Sequence, residues 1–435
     1  MHDKKISSHA RWDQNLQSNK RLLREAKAII ILCCILLVSS GCSSASSSVT
    51  STPGATKAVP TPAIQSRFVG KPITDDDLVT DIVHNMSLDQ KLGQMVIVEF
   101  YGSAFNNDLQ QMILKNFISG VLIENKNGNA QSRGQLIKLN QAMQMQAHIP
   151  LFISTDYEGG LVNELRLITG ERPSESSAGA SNDPQVAYNA GHSAAADLAG
   201  LGLNVNFMPI VDVLTNPNNP GLPQRTFGSD PTLVTNMGRA YLKGLTDGGI
   251  IGCLKHFPGL GSANLDPHLA LPTMNRSLAT LNNVDFVPYR TMINEGIVPM
   301  VMVTHILNPQ LDANLPTSLS PNVVTGLLRN QLNFKGVIIS DTLWMGGISN
   351  TYSLAQAAVL AVKAGTDLLL GPRGLAETQT MITGLRQAVT SGKISMSQID
   401  ASVTRILKLK LKYNVISHNM ALQLAGITGS SEQRG

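Results

Sequence analysis

The chain has 435 residues, of which 43% are hydrophobic and 15% charged, with 37 Gly and 21 Pro. That apolar share excludes a disordered chain, and the length suffices for one large core. The net charge of +4 arises within residues 1–27, where seven Lys/Arg meet three acids. Everything beyond sums to zero, so the composition carries no basic footprint for nucleic acid.

Residues 28–38 are eleven apolar residues, followed by Ser39-Ser40-Gly41-Cys42. Eleven residues rise about 16 Å as a helix, roughly half a bilayer core, so no spanning helix is expected. Basic, then apolar, then small residues is the order of a secretory signal. The Gly41-Cys42 ending resembles a bacterial lipoprotein cleavage box, with Cys42 as the lipidated residue. Residues 1–42 are therefore read as an export signal. The protein is expected outside the cytoplasm, touching the membrane only through an anchor at Cys42. Residues 43–66 are rich in Ser, Thr, Pro and Ala with Lys57 as the one charge, which describes a flexible linker. Cys33, Cys34 and Cys42 all fall in the signal, leaving Cys253 without a partner for a disulfide. It lies in the apolar run Gly249-Ile250-Ile251-Gly252-Cys253-Leu254 and reads as a buried thiol rather than a nucleophile.

From residue 68 onward, short β-branched runs alternate with segments of helical period. Strands are predicted at 94–98, 120–123, 151–154, 204–207, 250–254, 300–303, 337–340 and 367–370. Helices are predicted at 108–116, 132–147, 185–201, 231–247, 278–295, 321–332, 354–364, 376–390 and 396–412. This alternation predicts an α/β fold with parallel strands, and the count favours a closed (β/α)8, TIM-like barrel in a single catalytic domain at 67–415. A tail is expected at 416–435, and the protein is expected to be a monomer.

The strand runs end at Glu99, Glu124, Asp156 with Glu158, Asp212, Lys255-His256, Thr304-His305 and Asp341. Any one of these is explained by strands ending in wet loops. A ring of them at the C-terminal rim, where barrel enzymes keep their chemistry, points to a site for a polar ligand.

Three segments are sharper: Ser154-Thr155-Asp156-Tyr157-Glu158-Gly159-Gly160; Lys255-His256-Phe257-Pro258-Gly259-Leu260-Gly261, running on to Asp266-Pro267-His268; and Gly336-Val337-Ile338-Ile339-Ser340-Asp341-Thr342-Leu343-Trp344-Met345. Met86-Ser87-Leu88-Asp89-Gln90-Lys91 and Arg225-Thr226-Phe227-Gly228 join them. Over about residues 74–413 this ordered set resembles family 3 glycoside hydrolases, and within them the single-domain bacterial β-N-acetylglucosaminidases.

The resemblance implies a nucleophile at Asp341, sugar-gripping side chains at Asp156, Arg225, Lys255 and His256, and a proton-transfer dyad of His268 with Asp266. Retaining hydrolysis needs a carboxylate to attack the anomeric carbon and a second group to protonate the leaving oxygen. An aspartate on a rigid strand end suits the first task. An imidazole exchanges protons near neutral pH, and an adjacent carboxylate holds its tautomer. Gly259 and Gly261 are expected to let the loop move. Glu158 is expected to turn inward onto the backbone near Gly159-Gly160, and Asp212 and His305 to support the rim or orient Lys255. Asp367 is expected to hold a basic side chain of the rim, Trp344 either to stack on sugar or to pack, and Met95, Met300, Met302 and Met345 to be core.

The chain departs from the family pattern at Leu161 and Glu164, where Arg is common, and at Thr342 and Leu260. The leading reading is an exo-acting retaining β-N-acetylglucosaminidase on cell-wall or chitin-derived glycans, with no metal or organic cofactor. The alternatives are a β-glucosidase or related exo-glycosidase, a non-catalytic glycan-binding lipoprotein, and a metal hydrolase built on His256, His268, His305 and Asp341.

Overall fold

The computed structural model describes residues 72–427. The expected signal, Cys42 and the linker lie outside the described residues. Among those described, no helix is long and apolar enough to cross a membrane.

The chain folds as an α/β protein with parallel sheets. Its strands are β1 (Val96–Glu99), β2 (Gly120–Ile123), β3 (Phe152–Thr155), β4 (Tyr157–Gly159), β5 (Val162–Asn163) and β6 (Val205–Asn206). They continue with β7 (Ile251–Gly252), β8 (Leu254–Phe257), β9 (Met300–Val303), β10 (Val337–Ser340) and β11 (Leu369–Arg373). One parallel sheet runs in the order β11-β1-β2-β3-β6-β7, and a second in the order β10-β9-β8. Only Cys253 separates β7 from β8, and parallel bridges join Ile339 to Leu368 and Ile210 to Lys255. The N–H of Ser340 donates to the carbonyl of Leu368 at 3.0 Å, tying β10 to the start of the last strand.

Strands β1, β2, β3, β8, β9 and β10 are buried along their whole length. Covered on both faces, such strands read as unbroken apolar runs, and Met300–Val303 and Val337–Ser340 fall where the runs were predicted. Met95, Met300, Met302 and Met345 are buried as expected. Side chains fix several helix starts. Thr74 and Ser353 each close a capping box, and Asp230 caps the helix that opens with Pro231. These caps satisfy N–H groups that have no partner in a first turn.

Several boundaries differ from expectation; the run at 250–254 divides into β7 and β8, which continues through Lys255-His256 to Phe257, and the last strand starts at Leu369. The first strand starts at Val96 because Gln94 turns its amide away, donating to Phe117 O at 2.8 Å and accepting from Lys410 Nζ at 2.9 Å. The segment 278–295 divides into helices Leu278–Asn283 and Phe286–Asn294, with the buried Asp285 between them paired to Arg276. The diglycine segment forms a small antiparallel pair, β4 with β5. Within the stretch expected as a tail, His418–Leu424 is helical.

Parallel pairing sends the strands of the two larger sheets the same way within each sheet, so the polar residues at their ends gather on one edge of it. Asp367 does not join them. It sits just before the last strand, fully buried, where it binds Arg329 and Arg405 from the flanking helices and accepts from the Ile338 N–H. Its expected role at the rim is therefore corrected.

Candidate active site

Asp341 follows β10 directly, and its own N–H donates to Val303 O at 2.9 Å. Its Oδ1 accepts from the Thr342 N–H at 2.8 Å, while Oδ2 has only Thr304 Oγ1 at 3.5 Å. Burial works against ionisation here. His305, His256, His268 and the Thr342 N–H outweigh it, and the Asp341 carboxyl lies below its usual range. Asp341 is thus a carboxylate at neutral pH with one oxygen nearly free.

Asp266 Oδ1 accepts twice from His268, from its backbone N–H at 2.9 Å and from ring Nδ1 at 2.7 Å. With Nδ1–H committed to the carboxylate, Nε2 is the nitrogen left to exchange protons. Burial raises the Asp266 carboxyl, but the two bonds from His268 prevail and lower it. The loop is fastened at its base, since Pro267 is buried and its carbonyl accepts from Gly347 N–H at 3.0 Å. The His268 carbonyl accepts from Gly346 N–H at 3.0 Å. A Cβ on Gly346 would lie 2.3 Å from Leu269 O, so only glycine permits this approach.

Gly259 and Gly261 are not the expected hinges. Both are buried, and a Cβ on Gly261 would lie 1.8 Å from Val213 O. They allow the loop to pack closely against its neighbour. Exposure begins later, at Asn264 and Leu265.

Three of the sugar-gripping candidates, Lys255, Asp156 and Arg225, form a connected cluster through Glu158, while His256 stands apart from it. Lys255 Nζ donates to Asp156 Oδ1 at 2.6 Å and to Glu158 Oε1 at 2.7 Å. Arg225 grips the same Glu158 with Nε at 2.7 Å and a terminal nitrogen at 2.9 Å. Desolvation opposes the charge on Glu158, yet Lys255 and Arg225 hold its carboxyl down at about 2. Lys255 is held well above its usual value because Asp156 and Glu158 outweigh its burial. Glu158 is buried as expected, but it clamps two cations rather than the backbone. That role was missed, although Asp-x-Glu after a strand was the available signal.

Asp212 orients His256, not Lys255. Its Oδ2 accepts from His256 Nδ1 at 2.7 Å and its Oδ1 from the Leu260 N–H at 2.6 Å. His305 is fully buried between Ser318 Oγ, 2.7 Å from Nδ1, and Thr342 O, 3.1 Å from Nε2. Burial lowers its pKa, so it is a neutral support under the segment after Asp341. Among the described residues, no three His, Cys, Asp or Glu side chains are grouped to hold a metal ion. Cys253 is a buried thiol as expected, and desolvation pushes its pKa up.

Asp341, His268, Asp266, His256 and Arg225 line one cleft with Asn219, Leu260 and Leu265. Asp156 and Lys255 do not line it; they are joined to Arg225 behind it through Glu158. Leu161 is exposed, and Glu164 accepts from the Asn125 N–H at 2.6 Å.

A carboxylate on a strand end and a carboxylate-backed imidazole open together on one cleft beside hydrogen-bonding side chains. The chain belongs to glycosyl hydrolase family 3, whose N-terminal domain matches residues 87–409. It is 33% identical over 353 residues to beta-hexosaminidase A of Pseudoalteromonas piscicida, covering 75% of this chain and 59% of that one. It is 32% identical over 367 residues to beta-hexosaminidase LpqI of Mycobacterium tuberculosis, covering 83% of this chain and 90% of that one. Among solved structures, the family 3 β-N-acetylglucosaminidase of Paenibacillus sp. str. FPU-7 superposes with a TM-score of 0.74 at 34% identity, covering 78% of this chain and 68% of that one.

Proposed function

We propose that the protein is an exo-acting retaining β-N-acetylglucosaminidase that removes terminal N-acetylglucosamine from cell-wall or chitin-derived glycans. One observation carries this reading: the ionised Asp341 and the Asp266–His268 pair line the same cleft. The names of the relatives support the choice of amino sugar.

In the first step Asp341 Oδ2, the freer oxygen, attacks the anomeric carbon. The bond from that carbon to the leaving oxygen breaks, and His268 Nε2–H protonates the oxygen as it departs. Asp266 stabilises the imidazolium when His268 is charged. In the second step His268 Nε2 takes a proton from water, the oxygen of which displaces Asp341 from the sugar. Lys255, Arg225, His256 and Asp156 present the donors and acceptors that hold sugar hydroxyls. The eight strand positions, joined across Cys253 and through the Ile339–Leu368 bridge, support a closed (β/α)8 barrel as the frame. Export with an anchor at Cys42 and a monomeric state complete the proposal.

The test is turnover of aryl N-acetyl-β-glucosaminide beside aryl β-glucoside. A strong preference for the glucosaminide is expected, and a preference for the glucoside would overturn the amino-sugar assignment in favour of a β-glucosidase.

A further inference from the structure

The segment after the nucleophile is fastened at both ends and in the middle, and one fastening comes from across the fold. Its Thr342 supports Asp341 Oδ1 by its N–H and rests its carbonyl on His305. Its Gly346 and Gly347 N–H groups hold the carbonyls of His268 and Pro267, so both reacting groups hang on the same few residues. Between them stands Trp344, whose indole N–H donates to Glu99 Oε1 across a sequence separation of 245 residues.

Glu99 lies at the end of β1 and is 1% exposed. Its second oxygen accepts from Asn127 Nδ2 at 3.4 Å, and the same amide donates to Glu124 Oε2 at 2.7 Å. Glu124 pairs with Lys126 at 2.7 Å and also hydrogen-bonds to Glu99, so burial and the neighbouring charge push its carboxyl up to about 8. Glu124 keeps its proton at neutral pH, which lets the two carboxyls sit close together. Lys126 Nζ and Arg373 Cζ lie over the indole, 5.0 Å and 5.4 Å from its centroid. Trp344 is thus held by a hydrogen bond at its edge and by cations at its ring.

Resting on the glycosidase reading above, we propose that Trp344, anchored on Glu99, is a positioning residue that keeps Asp341 and the His268 loop in register. A displacement of about 1 Å between reacting groups costs on the order of a hundredfold in rate, so an edge-fixed indole in the segment that carries both of them has leverage that burial alone lacks.

The test uses the full chain. Parental turnover of the aryl glucosaminide is measured first, and its absence would sink the glycosidase reading rather than this one. Trp344→Phe keeps the ring and removes the N–H. It is expected to lower kcat about tenfold with KM nearly unchanged and the unfolding midpoint close to the parent. Glu99→Gln keeps an acceptor oxygen and should retain most of kcat, whereas Glu99→Leu should fall as far as Trp344→Phe. The double variant Trp344→Phe/Glu99→Leu should be no slower than either single one. Parental kcat in Trp344→Phe, equal losses in Glu99→Gln and Glu99→Leu, or multiplicative losses in the double variant would each overturn the proposal.

Discussion

Lys255 Nζ sits 2.7 Å from Glu158 Oε1 with both side chains almost wholly removed from water, and Arg225 closes on the same carboxylate. Glu158 is therefore what fixes Lys255 and Arg225 in place. Removing one partner of a buried ionic cluster leaves uncompensated charge, at a cost of about 3–5 kcal/mol. Glu158→Gln is expected to lose stability on that scale in urea unfolding and to raise KM. A loss under about 1 kcal/mol would show that the two cations are held by something else.

Glu124 gives a pH dependence of stability. Glu124 in the fold keeps its proton up to about pH 8, against a value of 4.5 for an ordinary glutamate. The folded protein then binds more protons than the unfolded chain between those values. This stabilising contribution is complete below the lower value and is lost as pH rises through the upper one. Glu124→Gln has no proton to lose. Its thermal midpoint should gain on the parent progressively from pH 4.5 to 8 and by a constant margin above, up to a few kcal/mol at about 1.4 kcal/mol per pKa unit. Parallel curves for the two proteins across this range would contradict a proton kept on Glu124.

Local pattern made much of this legible. The runs at 300–303 and 337–340 appear as β9 and β10 because fully buried parallel strands leave no ambiguity in an apolar stretch. Asp341 and Asp156 directly follow β10 and β3, whereas Lys255-His256, expected after a strand, lie within β8. What stayed hidden depends on partners distant in sequence. Glu158 read as a carboxylate bound to the backbone near Gly159-Gly160, whereas Arg225 and Lys255, 67 and 97 residues away, close on it. Trp344 was open between stacking and packing because its acceptor, Glu99, belongs to the first strand. The helix break at Asp285 follows from a buried carboxylate seeking Arg276, which helical periodicity does not register.

Leaving-group chemistry separates the dyad from a surface histidine. An activated aryl leaving group departs with little protonation, while a sugar hydroxyl needs a proton. His268→Ala should therefore lose far more kcat/KM on chitobiose than on the nitrophenyl glucosaminide. Asp266→Ala should follow the same order with smaller losses, since the imidazole remains but loses its partner at Nδ1. Equal losses on both substrates would remove His268 from the acid role.

Cys253 should be inert. It is fully buried and burial raises its thiol pKa, so little thiolate is present at neutral pH. Peptide mapping after iodoacetamide treatment should find Cys253 unmodified in the folded protein and modified after denaturation. Labelling in the native state with loss of activity would place the thiol at a reactive surface.

In the proposed mechanism Asp341 forms a bond to the sugar. A 5-fluoro N-acetylglucosaminyl fluoride slows both steps and supplies a leaving group that needs no acid, so the covalent species should accumulate. Mass spectrometry of the digested protein is expected to find one added sugar on the peptide carrying Asp341, and none in Asp341→Asn. A stable adduct on any other residue, or inactivation of Asp341→Asn at the parental rate, would contradict the account.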